Sequence, residues 1–243
     1  MTVLVLGGTA EARALAAALV HAGRDVLTSL AGRVQNPALP PGRVRVGGFG
    51  GVNGLAAFLR SDRVTAVVDA SHPFADRIGA NAVVAAEQTG VPLLRLERPG
   101  WANHPRAGGW TWVADVEAAR AAADGYTRPF LTTGRQSLAT FLPWADRAVL
   151  ARVVDPPEFA LPGRWTLISA RGPYAYAEER RLMTEAGTEV LLTKDSGGTP
   201  TAAKLDAASD LGIPVVVIAR PPRPAGVATV SSVAEALTWP ALA

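Results

Sequence analysis

The chain has 243 residues, 49% of them apolar, enough for one large domain or two smaller ones with a substantial core. It has no cysteine, which excludes disulfides, thiolate metal sites and cysteine nucleophiles, and His21, His72 and His104 match no metal-ligand spacing. A net charge of +3, from 24 basic and 21 acidic residues without a basic block, argues against a nucleic-acid partner and suits an anionic small molecule.

Thr2 to Leu6 is a short apolar run with the look of a strand. It ends at Gly7-Gly8-Thr9, and Glu11 to Val20 follows as an alanine- and leucine-rich helix closed by Gly23. Strand, glycine turn and helix form the first unit of a dinucleotide-binding α/β fold, in which the glycines let the backbone approach a pyrophosphate at a helix start. A full Gly-x-Gly-x-x-Gly fingerprint would need glycine where Thr9 and Ala12 stand, so a tight turn without a nucleotide is the competing reading.

Residues 24–30 read as the second strand, and a proline- and glycine-rich loop leads to Val44-Arg45-Val46, the glycine cluster 47–51 and a short helix over 55–59. A buried strand at 65–69 leads through Ala70-Ser71-His72-Pro73 into a helix over 76–89, and Gly90-Val91-Pro92 turns into a strand at 93–96. The alternation predicts a parallel, doubly wound sheet.

The second half repeats this order about 120 residues later. Gly90 to Pro99 aligns with Gly212 to Pro221, and Gly8 with Gly134. Val113-Ala114-Asp115-Val116 aligns with Val230-Ser231-Ser232-Val233, with Asp115 and Ser232 as helix N-caps. The expected architecture is α/β, two Rossmann-like lobes with parallel sheets over residues 1–124 and 125–243, and a ligand crevice between them.

Four further turns offer polar groups at strand ends. Ser71 and His72 open one helix and are assigned to the cofactor together with Gly7, Gly8 and Thr9. Thr133, Gly134 and Arg135 open another, Arg171 ends a strand, and Lys194-Asp195-Ser196-Gly197 is the most charged turn. Tyr174 and Tyr176 lack the lysine four residues on that a short-chain dehydrogenase needs. Arg135, Arg171, Lys194 and Arg77 would make a crevice positive, as a polycarboxylate or phosphate requires. No serine nucleophile elbow, Walker lysine or zinc signature is present, so hydride transfer from a nicotinamide is the reaction class that uses what remains.

The acid that would hold the ribose hydroxyls of NAD belongs about 20 residues beyond the glycines. Ser29 stands there instead, and Asp25 lies at the far end of its strand. Arg33 follows four residues past Ser29, so Ser29 and Arg33 are read as a 2′-phosphate pocket and NADPH as the cofactor of the first lobe.

Leu6 to Arg13, Asp69 to Ala75, Arg95 to Pro99, Thr132 to Arg135 and Thr193 to Gly197 together resemble the precorrin-6A reductases of cobalamin biosynthesis, over essentially the whole chain. The resemblance implies NADPH-dependent reduction of a ring double bond in precorrin-6A, a macrocycle with many carboxylates, to give precorrin-6B. Three cations at strand ends of the second lobe, Arg135, Arg171 and Lys194, are read as contacts for the substrate carboxylates, which makes this the substrate lobe, with Thr133, Gly134, Ser196 and Gly197 also assigned to the substrate. The accompanying proton has Lys194, Asp195 and His72 as candidate donors, with water as an alternative. No metal is expected, and neighbouring pathway enzymes are the expected protein partners. Another NADP oxidoreductase of this fold and a two-lobed nucleotide or anion sensor stay open as alternatives. No apolar run approaches the roughly 20 residues of a membrane helix, and the chain opens on a strand without a leader pattern, so a cytoplasmic protein with no membrane partner is expected.

Overall fold

A computed structural model describes residues 2–32, 38–199, 201–222 and 226–242. Two compact units emerge, one of residues 1–99 with 221–243, the other of residues 100–220.

The first unit runs β1 (Thr2–Leu6), α1 (Ala10–His21), β2 (Asp25–Leu30), β3 (Arg43–Val46), α2 (Val52–Ser61), β4 (Val64–Asp69), α3 (Asp76–Thr89) and β5 (Leu93–Leu96). The second runs β6 (Thr111–Val113), α4 (Val116–Ala122), β7 (Pro129–Thr132), a 3₁₀ helix over Arg135–Trp144, β8 (Leu150–Val153), β9 (Thr166–Ser169), α5 (Tyr176–Glu185), β10 (Val190–Lys194), α6 (Ala203–Asp210) and β11 (Val215–Ile218). The chain then returns to the first unit with β12 (Ala228–Val230) and α7 (Val233–Leu237).

Each unit holds a parallel sheet of six strands, in the orders β12-β5-β4-β1-β2-β3 and β6-β11-β10-β7-β8-β9. A parallel strand covered by helices on both faces must be apolar on both, and β1 is buried at every position. Val3 and Val5 pack with α1 and α7, while Leu4 and Leu6 pack with α2 and α3, as a period of two dictates. Helix α1 buries Ala12, Leu15, Ala16 and Leu19, one helical stripe, and Thr9 caps it by accepting the Ala12 amide at 3.1 Å.

The single cut expected near residue 124 is therefore corrected. Strand β6, placed by sequence in the first lobe, pairs with β11 in the second sheet, and β12 pairs with β5 in the first. The repeat that equates residues 113–116 with 230–233 explains the error: each segment has the same strand-then-cap pattern, so either could finish either sheet. Asp115 and Ser232 cap their helices by accepting the amides of Ala118 and Glu235. The helix expected after Gly134 is a 3₁₀ helix with Pro143 inside it. Among the described residues no helix is long and apolar enough to cross a membrane.

Candidate functional site

In the first unit the carboxyl ends of β1, β2, β3 and β4 carry the polar turns. Gly7 donates its amide to the Ser29 carbonyl at 2.9 Å, drawing the glycine turn onto the end of β2. A Cβ on Gly7 would lie 2.7 Å from Cγ2 of Thr28, so this glycine serves strand packing. Gly8 has φ +115° with nothing within 4 Å of its missing Cβ, which leaves its backbone open to a ligand. Thr9, besides capping α1, donates to the Ala70 carbonyl at 2.7 Å and so ties the glycine turn to the turn after β4.

That second turn is built on Asp69, which accepts the Ser71 amide at 3.0 Å and pairs with Arg95. Arg95 also pairs with Glu97 at 2.8 Å. A Cβ on Gly79 would come within 3.1 Å of the Asp69 carboxylate and 3.3 Å of Arg95, so the glycine lets helix α3 pack closely on this buried network. His72 accepts the Phe74 amide on Nδ1 at 3.2 Å, which puts the proton of its neutral form on Nε2. The Ser71 hydroxyl is buried with no hydrogen-bond partner among the described residues.

Ser29, at the end of β2, accepts a hydrogen bond from Arg45 of β3 at 2.8 Å. Sequence reasoning missed Arg45; the signal is cross-strand register, since Ser29 and Arg45 are direct partners in the β2–β3 pairing. Arg33 lies outside the described residues. Asp25 sits at the opposite end of β2, where it accepts from Thr2 at 2.6 Å and from Arg43. The Thr2 hydroxyl and then Arg43 hold its carboxyl below the usual range. An open glycine backbone, an unpartnered buried hydroxyl and a cation beside Ser29 together fit a phosphorylated dinucleotide.

In the second unit Thr133 is buried and accepts from the Ser137 hydroxyl at 2.8 Å, and Gly134 has φ +88°. Arg135 donates to the Pro156 carbonyl at 3.3 Å, and Arg171 is exposed at the turn after β9. Lys194, Ser196 and Gly197 share the turn that ends β10. Asp195 beside them is not a free acid. It is buried, accepts the Trp101 amide at 2.8 Å and lies 3.4 Å from Arg220. Trp101 in turn donates its indole N–H to the Gly198 carbonyl at 3.0 Å, so Asp195 anchors the turn. A sequence cannot distinguish an aspartate that meets solvent from one that meets a main-chain N–H 94 residues away.

Three more ionisable groups of this unit escaped sequence reasoning. Arg152 on β8 forms a two-pronged pair with Glu179 on α5, and its guanidinium lies 3.7 Å from the centre of the Tyr174 ring. Lys204, in the first turn of α6, is buried, donates to the Thr201 carbonyl at 3.0 Å and faces Trp101. Among the described residues no cluster of histidine and acidic side chains could hold a metal ion.

The family model described as precorrin-6x reductase CbiJ/CobK matches residues 2–241. Precorrin-6A reductase of Rhodococcus erythropolis is 52% identical over 239 residues, 98% of this chain and 96% of that protein. The protein of the same name from Mycobacterium tuberculosis is 53% identical with the same coverage. Cobalt-precorrin-6A reductase of Priestia megaterium is 33% identical over 236 residues, 90% of each chain. A solved structure titled CobK precorrin-6A reductase superposes with a TM-score of 0.90 at 40% identity, covering 98% of this chain and 95% of that one.

Proposed function

The chain belongs to the precorrin-6x reductase family, and from that premise we propose that it reduces one ring double bond of precorrin-6A in cobalamin biosynthesis with NADPH as reductant. The reading rests on a match that runs along residues 2–241 rather than on one turn. The identity of 52–53% to reductases of precorrin-6A, against 33% to one of cobalt-precorrin-6A, supports a cobalt-free substrate.

When bound, the nicotinamide supplies a hydride, and a proton must reach the neighbouring ring carbon so that the double bond gains two hydrogens. Gly8, Thr9 and Ser71 hold the dinucleotide in the first unit, with His72 in the same turn as Ser71. In the second unit Arg135 and Arg171 bind substrate carboxylates through charge-assisted bonds, and the Gly134 backbone contributes at the start of the 3₁₀ helix. Lys194 delivers the proton, and Asp195 with Trp101 keeps the lysine's turn in place. Thr133 supports the 3₁₀ helix start through Ser137.

Purified protein incubated with precorrin-6A and NADPH should consume the two in equal amounts, and the cobalt complex should turn over more slowly. Absence of NADPH oxidation with authentic precorrin-6A would refute the assignment. Near-normal turnover in Lys194→Ala would give the proton to solvent instead.

A further inference from the structure

We propose that Lys204 is a positioning residue for the reaction, its ammonium holding from beneath the turn that carries Lys194, Ser196 and Gly197; this rests on the reading of that turn given above. Lys204 opens α6 yet belongs to the buried face of the helix, with Leu205, Ala207 and Ala208. Lysine is rarely buried without a partner, because taking an ammonium out of water is costly. A methionine would fill the same space without that cost. Nor does the side chain run out to solvent, since the residue is 3% exposed.

The contacts of the amine account for its presence. Nζ donates to the Thr201 carbonyl at 3.0 Å and lies 5.0 Å from the centre of the Trp101 ring. The Thr201 hydroxyl is 3.4 Å from that of Ser196. Trp101 donates its indole N–H to the Gly198 carbonyl at 3.0 Å and its amide to the Asp195 carboxylate at 2.8 Å. Asp195 at one end of the turn and Thr201 at the other therefore meet at one cation, the first through the face of Trp101 and the second through a hydrogen bond.

Among the described residues no carboxylate pairs with Lys204. The charged groups that face it are Arg152 on β8 and Glu179 on α5, and Glu179 is already held by both prongs of Arg152. Burial and then Arg152 lower the pKa of Lys204 to about 7, so ammonium and neutral amine coexist near neutrality. The neutral amine has no charge for the ring face and donates more weakly to the Thr201 carbonyl. The protonated form is thus the one that holds the turn.

The alternative is that Lys204 only fills the core under α6. Two measurements on the full chain separate the readings. In nuclear magnetic resonance the Trp101 indole N–H signal, identified by its loss in Trp101→Phe, should shift with a midpoint at about pH 7 and stay fixed in Lys204→Met. His104 donates its amide to the Trp101 carbonyl at 2.9 Å, so the titration is repeated in His104→Gln, where the shift should persist. In steady-state kinetics with NADPH, Lys204→Met should raise KM for precorrin-6A roughly tenfold over the unmodified protein at about pH 6. At about pH 9, where the lysine is already neutral, the two should agree within about twofold. A core filler changes KM by the same ratio at both pH values, and that result would overturn the proposal. So would a Trp101 signal that does not shift, or a shift that vanishes in His104→Gln. Should Lys204→Met fail to fold, the titrations of the unmodified protein and of His104→Gln decide by the same criteria. Absence of NADPH oxidation in the unmodified protein sinks the reading of the turn and this role with it. Normal turnover with equal KM ratios sinks this role alone.

Discussion

Lys204 shows how much a single buried side chain can impose. Its ammonium has a pKa lowered to about 7, first by burial and then by the charge of Arg152, with Glu179 opposing. The unfolded chain keeps that proton up to about 10.5, so between those values the unfolded state binds more protons than the folded one. Stability attributable to Lys204 therefore rises with pH from about 7 towards 10.5 and is lost as the pH falls back to 7, with a limiting slope of about 1.4 kcal/mol per pH unit. Denaturant titrations at about pH 7 and pH 9 should show this rise in the unmodified protein and little of it in Lys204→Met. Arg171 lies at the opposite extreme, exposed at a loop with no ion pair among the described residues. Arg171→Ala should leave the thermal midpoint unchanged and raise KM for the tetrapyrrole by roughly tenfold or more, the worth of one charge-assisted bond. An unchanged KM would remove Arg171 from the substrate site.

Elements were legible in the sequence wherever a local pattern determines them. The strand at 2–6 and the helix over 76–89 occur where apolar runs, caps and glycines place them, because these signals act within a few residues. Sheet membership was not legible for β6 and β12, because two interchangeable segments leave the choice to tertiary pairing. A physical test follows from the observed pairing. A fragment of residues 1–124 carries β6 without β11 and leaves the β5 edge without β12, so it should be largely unfolded by circular dichroism and proteolysis. A fragment of residues 100–220 contains all six strands of its sheet and should fold by the same measures. The candidate site was legible to the same degree as the elements. Gly8 and Thr9 announce themselves by their place after a strand. The placement of Arg45 opposite Ser29 is not legible, because it depends on strand register, nor is the burial of Asp195, because its partner Trp101 is remote in sequence.

At the scale of the whole molecule, the chain leaves the first unit at Pro99 and re-enters it at Pro221. Strand β12 closes the edge of a sheet whose other five strands lie within residues 2–96. Helix α7 and the segment after it add Ala236 and Leu242 to the core around α1. The second unit is contiguous and waits for nothing downstream of residue 220. A ribosome delivers the chain from its amino end at about 5–20 residues per second, and domains ordinarily complete in that order. Here the order inverts: the second unit can finish first, while the first 99 residues stay without their last strand until the carboxyl end emerges. The exposed β5 edge is then a hazard confined to the nascent chain, and translation speed over the second unit sets how long it lasts.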